Sequence, residues 1–268
     1  MIEMPKPLLQ IPGIPSGRIL GLVLVIIIAV LAIRQMRKKA LPFIRRVAAI
    51  DAIDEAVGRS TEMGRPVLVS YGIGSFDYST IAALSILGYV SRMCADTDTK
   101  LIVPTGGGHT SYLTRELAVD IVRTQYTLAG KPEMFREEDM PFLSGEQYSY
   151  TAGYIGILVR EHPGAVIMTG SHASEAMNIA ETSNLVGAIT ITAGTYVSNM
   201  AALACASDYV MLMDEQPAAG AYLSKDREQL ATIRVQDIYK ALAMTLTALG
   251  LILLNILGSE FFLDLLST

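Results

Sequence analysis

The chain has 268 residues, 51% of them hydrophobic, and its mean hydropathy of +0.40 points to membrane segments beside a folded domain. A formal net charge of −5 and a pI of about 5.3 exclude nucleic-acid binding by bulk electrostatics, because phosphate contacts need a basic footprint. Two separate cysteines and three histidines make no zinc pattern, so no metal or other cofactor is expected; Cys94 and Cys205 lie in apolar runs and are expected buried and reduced.

Residues 1–18 form a short leading segment, and 19–33 (ILGLVLVIIIAVLAI) are uninterrupted apolar residues between Arg18 and Arg34. At about 1.5 Å per residue the run spans about 22 Å, short of a hydrocarbon core of about 30 Å unless the arginines snorkel. It meets RQMRKK rather than a small-residue cleavage site, which argues for a retained anchor over a signal peptide. Residues 34–46 carry Arg34, Arg37, Lys38, Lys39, Arg45 and Arg46 with no acid. By the positive-inside rule this side of the membrane is cytoplasmic.

A domain is expected over 47–240. Its apolar spacing predicts a helix at 48–63, a strand at 66–70 (PVLVS), a helix at 78–95, a strand at 100–104 and a helix at 110–129. Residues 131–147 hold Glu133, Glu137, Glu138, Asp139 and Glu146 and are expected to be a solvated connection. A helix at 148–161, a strand at 165–169 (AVIMT), a helix at 173–184, a strand at 188–193 (AITITA), a helix at 196–206 and a strand at 209–213 follow. Pro217–Tyr222 is small and apolar and is expected to pack closely. Short apolar strands alternating with helices give an α/β fold, a Rossmann-like, mostly parallel sheet with helices on both faces. The last helix should start near Asp226 and run into a second span, 241–258, where Thr245, Thr247, Gly250 and Asn255 interrupt the apolar run; they fit either helix packing or simple tolerance in lipid. The tail 259–268 carries only Glu260 and Asp264, whereas Lys225, Arg227, Arg234 and Lys240 precede the span. Both spans therefore place the termini outside and the domain inside the cell, as a multi-pass protein of the cell membrane.

Ligands of open parallel sheets bind beyond the carboxyl ends of strands. Four strand ends here carry small residues: Gly72 and Gly74; Thr105, Gly106, Gly107, Gly108 and His109; Thr169, Gly170, Ser171 and His172; and Gly194 with Thr195. Glycines allow close backbone approach and helix N-termini favour anions, so these are the candidate binding residues for a small anionic ligand. Ordinary strand-to-helix turns explain them equally well. No P-loop lysine follows Gly108, and Asp77 stands where a dinucleotide fingerprint needs glycine or alanine. His109 and His172 fit a general base or a helix cap, and His162, before Pro163, fits a helix C-terminus.

Gly194-Thr-Tyr-Val-Ser198-Asn-Met-Ala-Ala resembles the nucleophile turn of Clp-type and signal-peptide-peptidase serine peptidases, and the glycines at 106–108 resemble that superfamily's oxyanion-hole glycines. The resemblance implies Ser198 as nucleophile with His109 or His172 as base. The extra strand–helix unit at 165–184 departs from the family's spacing. IDAIDEAVGRSTEMGRPVLVS at 50–70, PTGGGH at 104–109 and MDEQPAAGAYLS at 213–224 resemble an uncharacterised family of prokaryotic membrane-anchored proteins with a cytoplasmic α/β domain. That likeness covers about 45–255 and implies the architecture above but no activity. The expected function is a membrane-anchored, homo-oligomeric scaffold or ligand-sensing assembly, with oligomerisation motivated by the Gly/Ala-rich helices at 151–158 and 198–206. The alternatives are a serine hydrolase at Ser198, His109 and His172, and a nucleotide or small-metabolite receptor. The lipid bilayer and further copies of the chain are the expected partners, and nucleic acid is not.

Overall fold

Five parallel strands set the architecture. The computed structural model describes residues 47–107 and 111–257, with positions 23, 26–28, 30 and 34 before them. In chain order the elements are α1 (Ala48–Glu62), β1 (Val67–Gly72), α2 (Tyr78–Asp96), β2 (Leu101–Ile102), β3 (Thr105–Gly106), α3 (Ser111–Leu128), β4 (Phe142–Ser144) and α4 (Gln147–Glu161). Then come β5 (Ala165–Ser171), α5 (Glu175–Leu185), β6 (Ile189–Gly194), α6 (Val197–Ala206), β7 (Tyr209–Leu212), α7 (Glu215–Ser224) and α8 (Arg227–Leu257). The main sheet runs β2-β1-β5-β6-β7, and β3 and β4 form a small parallel pair of their own.

Side-chain alternation along the strands divides the core in two. Val67, Val69, Ile167, Ile191 and Met211 face α1, α2, α3 and α7, while Leu68, Ile102, Val166 and Met168 face α4, α5 and α6. Both faces of a parallel sheet are thus covered, which its continuous apolar strands require. Fully buried side chains such as Leu68, Ile167 and Ile179 each contribute about 1.5–3 kcal/mol. The α/β class and the mostly parallel sheet are those the sequence predicts.

Several expectations change. The 131–147 segment is not a free connection. Val103 N donates to Asp139 O (2.8 Å), Thr105 N to Pro141 O (2.9 Å) and Gly107 N to Ser144 O (3.0 Å), so it straps the chain leaving β2. The 100–104 strand accordingly stops at Ile102, and its continuation pairs with β4 instead. The 215–224 segment is a helix. Gly220 meets α2 there; an added Cβ would lie 2.9 Å from the Ala82 carbonyl oxygen. Cys94 is buried, but Cys205 is exposed, because α6 buries only Leu203. His162 does cap a helix: it closes α4 with φ of 44° and its N–H bonds Leu158 O.

The chain divides into two compact units, Phe43–Gln229 and a second comprising Met1–Pro42 and Leu230–Thr268. Among the described residues one helix is long and apolar enough to cross a membrane, Arg227–Ile252 within α8, with a hydropathy of 1.2. Thr245 Oγ1 donates to Ala241 O (2.7 Å) and Thr247 Oγ1 to Ala243 O (2.8 Å), so neither hydroxyl needs a partner outside the helix. Most of the first expected span, 19–33, lies outside the described residues, as do the 35–46 part of the basic segment and the tail 259–268.

Candidate functional site

The strand order reverses direction at β1: β2 lies on one side, β5, β6 and β7 on the other. The crevice between the carboxyl ends of β1 and β5 is therefore the topological switch point, where open α/β sheets take their ligands. Register slips there. Val67 through Ser70 pair with Ala165 through Met168, but Gly72 pairs with Ser171, leaving one extra residue in β5. Such a bulge re-aims the side chains that follow it.

The glycines at this crevice are taken up by the chain itself. Gly170 has φ of 85°, and a Cβ on it would collide with the Tyr71 carbonyl. Gly72 has φ of 93°, and its Cβ would lie 2.6 Å from Ser171 N. A Cβ on Gly74 would meet the Ser171 side chain at 2.6 Å, and one on Gly107 the Ile73 carbonyl oxygen at 2.6 Å. Gly106 lies against the Tyr150 ring. These residues close loops onto one another, which answers for their composition without a ligand. Thr169 Oγ1 donates to Ser70 O (3.1 Å) and Thr195 Oγ1 to Gly170 O (2.9 Å), and Ser171 Oγ lies 3.1 Å from Tyr196 OH. Gly194 O accepts Met213 N at 2.9 Å. Gly108 and His109 lie outside the described residues. Asp77 accepts the Ser79 and Thr80 amides at 3.0 Å each, so a carboxylate occupies the α2 N-terminus that a pyrophosphate would need.

Beneath these loops lies a relay that links β1, α4 and the β5–α5 turn. His172 Nε2 is 3.1 Å from Ser70 Oγ, and His172 Nδ1 faces Glu175 Oε1 at 3.4 Å, a contact too poorly aligned to count as a full hydrogen bond. Ser70 Oγ also lies 3.0 Å from Tyr150 OH and accepts Gly72 N at 3.3 Å. Glu175 Oε1 accepts Ala173 N at 2.8 Å, and Oε2 takes a short bond from Gln147 Nε2. Burial pushes the Glu175 carboxyl up, but the adjacent His172 ring and the Ala173 amide outweigh it and hold the carboxyl below its ordinary value. An ionised Glu175 only accepts, so the ring proton belongs on Nδ1 and Nε2 is left to accept the Ser70 proton. The arrangement can polarise a hydroxyl. Burial likewise raises the Tyr150 phenol far above its usual range, opposed by Ser70, so Tyr150 stays a neutral phenol, and its hydroxyl also donates to Pro104 O at 3.3 Å.

His172 is the one proposed histidine that the described residues bring to a serine, and that serine is Ser70. Ser198 is exposed, one residue inside α6, and its hydroxyl lies 3.4 Å from Asn199 Oδ1. Among the described residues no hydrogen bond joins it to a histidine. Sequence reasoning missed Ser70, Tyr150 and Glu175. The signal available was His172-x-x-Glu175 at a helix start, the i,i+3 spacing that places two side chains on one face.

Exposed aromatic side chains follow the strand ends: Phe76 and Tyr78 after β1, Tyr112 after β3, Tyr148 after β4 and Tyr196 after β6. Tyr112 stacks on Phe142 with centroids 5.8 Å apart. A cleft of about 320 Å³ between α3 and the 132–140 strap, and one of about 530 Å³ along α2, α3 and α7, do not reach the relay.

No curated protein matches this chain. The model of a domain of unknown function, DUF6754, matches residues 4–265, and the chain belongs to that family.

Proposed function

We propose that this protein is a membrane-tethered, homo-oligomeric sensor of a small molecule bound at the carboxyl ends of β1 and β5. One observation carries the reading. Among the described residues His172 and Glu175 are the fully buried side chains of the charged types, and they sit at the switch point. Burying a carboxylate beside an imidazole is costly even when paired, and a structural link could be made with apolar groups instead. The aromatic residues around the same end suit an uncharged or apolar ligand face. The apolar α8 is the support for a bilayer tether. The support for self-association is β7, an edge strand whose Tyr209 and Leu212 are exposed with no lysine or proline guarding it, beside the outward apolar face of α6.

The test is a thermal-stability screen of the full chain in mild detergent against a broad small-metabolite panel. A ligand at about 100 times its Kd adds about 2.7 kcal/mol. For a unit of this size that raises Tm by roughly 5–11 °C. The shift should shrink in Tyr148→Ala, an exposed change that leaves the core intact. A panel with no stabilising compound overturns the reading. Only monomer by native mass measurement removes the self-association.

A second reading rests on the 3.1 Å separation of Ser70 Oγ and His172 Nε2 with Glu175 behind: a serine hydrolase in which Ser70, not Ser198, attacks. Ser70 is fully buried, which favours the sensor. Fluorophosphonate labelling that disappears in Ser70→Ala but persists in Ser198→Ala would establish the hydrolase, and absence of labelling supports the sensor.

A further inference from the structure

At the β2 edge of the sheet the strap does not close fully onto α3. It leaves a cleft of about 320 Å³, inside the range of roughly 300–1,000 Å³ typical of small-molecule sites. Val122 and Tyr126, four residues apart on α3, form one wall, and Met134, Phe135 and Met140 of the strap form the other. The strap is tied down at both ends. Lys131 Nζ donates to Ala95 O at 2.8 Å and to Asp98 Oδ1 at 2.6 Å, and Val103 N holds Asp139 O at 2.8 Å. Between them the Arg123 guanidinium lies over the Phe135 ring, 5.1 Å from its centroid.

Two acceptors in this cleft are short of donors. Tyr126 is 4% exposed, and its hydroxyl makes no hydrogen bond among the described residues. That hydroxyl is not one of the sealed, unpartnered atoms of the interior, so the opening it keeps is the cleft that Tyr126 lines. The Asp139 side chain is 22% exposed and depends on Lys100, whose Nζ stands 3.7 Å from Asp139 Oδ1 but 3.1 Å from Glu161 Oε2. The shared lysine serves Glu161 better. Lys100 and Arg160 hold the Glu161 carboxyl below its ordinary value, whereas burial keeps the Asp139 carboxyl above its own despite Lys100 and Arg136. Arg136, on the rim, already pairs with Glu138 at 3.6 Å. An anion here would face Asp139 and the rim carboxylate of Glu133, and would compete for cations already engaged. A cation meets unfilled acceptors and aromatic walls.

We propose that this cleft binds a small organic ammonium ion, a primary amine whose head donates to Asp139 and to the Tyr126 hydroxyl oxygen and whose apolar body lies among Met134, Phe135 and Met140. A primary head suits the site because the unfilled groups accept hydrogen bonds and a quaternary head has none to give. Methionine walls adapt to apolar bodies of differing shape. The site is separate from the one at the strand ends and does not depend on it.

The experiment measures Tm of the full chain in mild detergent with phenethylamine, with 2-phenylethanol as the neutral isostere, with the trimethylammonium analogue, and with sodium chloride at matched ionic strength. Phenethylamine should stabilise the protein well beyond the other three. Asp139→Asn keeps the shape and the backbone bond to Val103 but should weaken binding about tenfold to a hundredfold, the usual worth of a hydrogen bond to a charged group. Tyr126→Phe removes only an unpaired hydroxyl, so the fold stands, and binding should weaken about tenfold. Hydrogen exchange should show phenethylamine protecting the amides of 132–140. Tyr148→Ala, at the strand ends, should leave the amine effect unchanged. No stabilisation by phenethylamine, or equal stabilisation by the alcohol or the trimethylammonium analogue, overturns the proposal. So does an amine effect that is unchanged in Asp139→Asn or in Tyr126→Phe, or one that Tyr148→Ala abolishes. The sensor reading stands or falls on compounds whose effect Tyr148→Ala reduces, so the two failures are distinguishable.

Discussion

Glu175→Gln is the most informative single change at the relay. The amide has the shape of the carboxyl but one end becomes a donor. Glu175 Oε1 now accepts the Ala173 amide at 2.8 Å and faces His172 Nδ1 at 3.4 Å, while Oε2 takes Gln147 Nε2. Turned one way, its NH2 opposes the Ala173 N–H; turned the other, it opposes Gln147 Nε2 and forces that amide to flip away from its present contacts; either way the anionic acceptor beside His172 is gone. Losing a hydrogen bond to a buried charged acceptor costs about 1.5–3 kcal/mol. At roughly 2–4 °C per kcal/mol for a unit of this size, Tm should fall by about 3–12 °C at pH 7. The pH dependence has a defined sign. The Glu175 carboxyl is held below its unfolded value, so its contribution is complete above about pH 5 and fades as pH falls through the unfolded value of about 4.3 toward the lower folded one. The difference between wild type and variant should therefore shrink from pH 7 to pH 3.5 in thermal melts of the two proteins in the same detergent. A variant within about 0.5 kcal/mol of wild type at pH 7, with an unchanged acid limb, would refute the buried pair as described.

Gly170→Ala should abolish stable folding, since its Cβ falls on the Tyr71 carbonyl, whereas Gly187→Ala, with φ of 76° but open space around it, should cost only about 1–2 kcal/mol; expression level and melting temperature separate them. Asp77→Ala removes the carboxylate that accepts two α2 amides at 3.0 Å and should lower stability by about 1 kcal/mol by denaturant titration. Of the two thiols, exposed Cys205 should react promptly with a maleimide. Buried Cys94, pushed up to about 12 by desolvation, should react only after denaturation, as peptide mass mapping would report.

The strands and helices of the main sheet were legible because each carries its own local signal. PVLVS, AVIMT and AITITA are apolar runs of strand length between turn residues, and α1 repeats its buried Ile50, Ile53 and Val57 at helical spacing. What escaped depends on distant partners. β3 and β4 have two and three residues, too few for any period, and exist because Gly107 and Ser144 meet across 37 positions. α7 was hidden by Pro217 and Gly220; the proline lies in the helix's first turn, where its missing N–H is harmless, and the glycine lets α7 approach Ala82. At the site, His172 and the glycine-bearing ends were visible as candidates, yet Ser70 looks like one more buried strand residue and Glu175 like a helix-start acid. Only the pairing of β1 with β5 brings them to one ring. The same pairing shows why a glycine loop is a poor signal by itself: Gly72 and Gly170 satisfy each other's strands.

The most direct test is an experimental density map of the full chain purified in native lipid. The account predicts non-protein density at the carboxyl ends of β1 and β5, against Tyr112, Tyr148 or Tyr196, above an intact Ser70–His172–Glu175 relay. A map in which that end is bare, or is filled by another protomer's side chains with His172 turned away from Ser70, would contradict it.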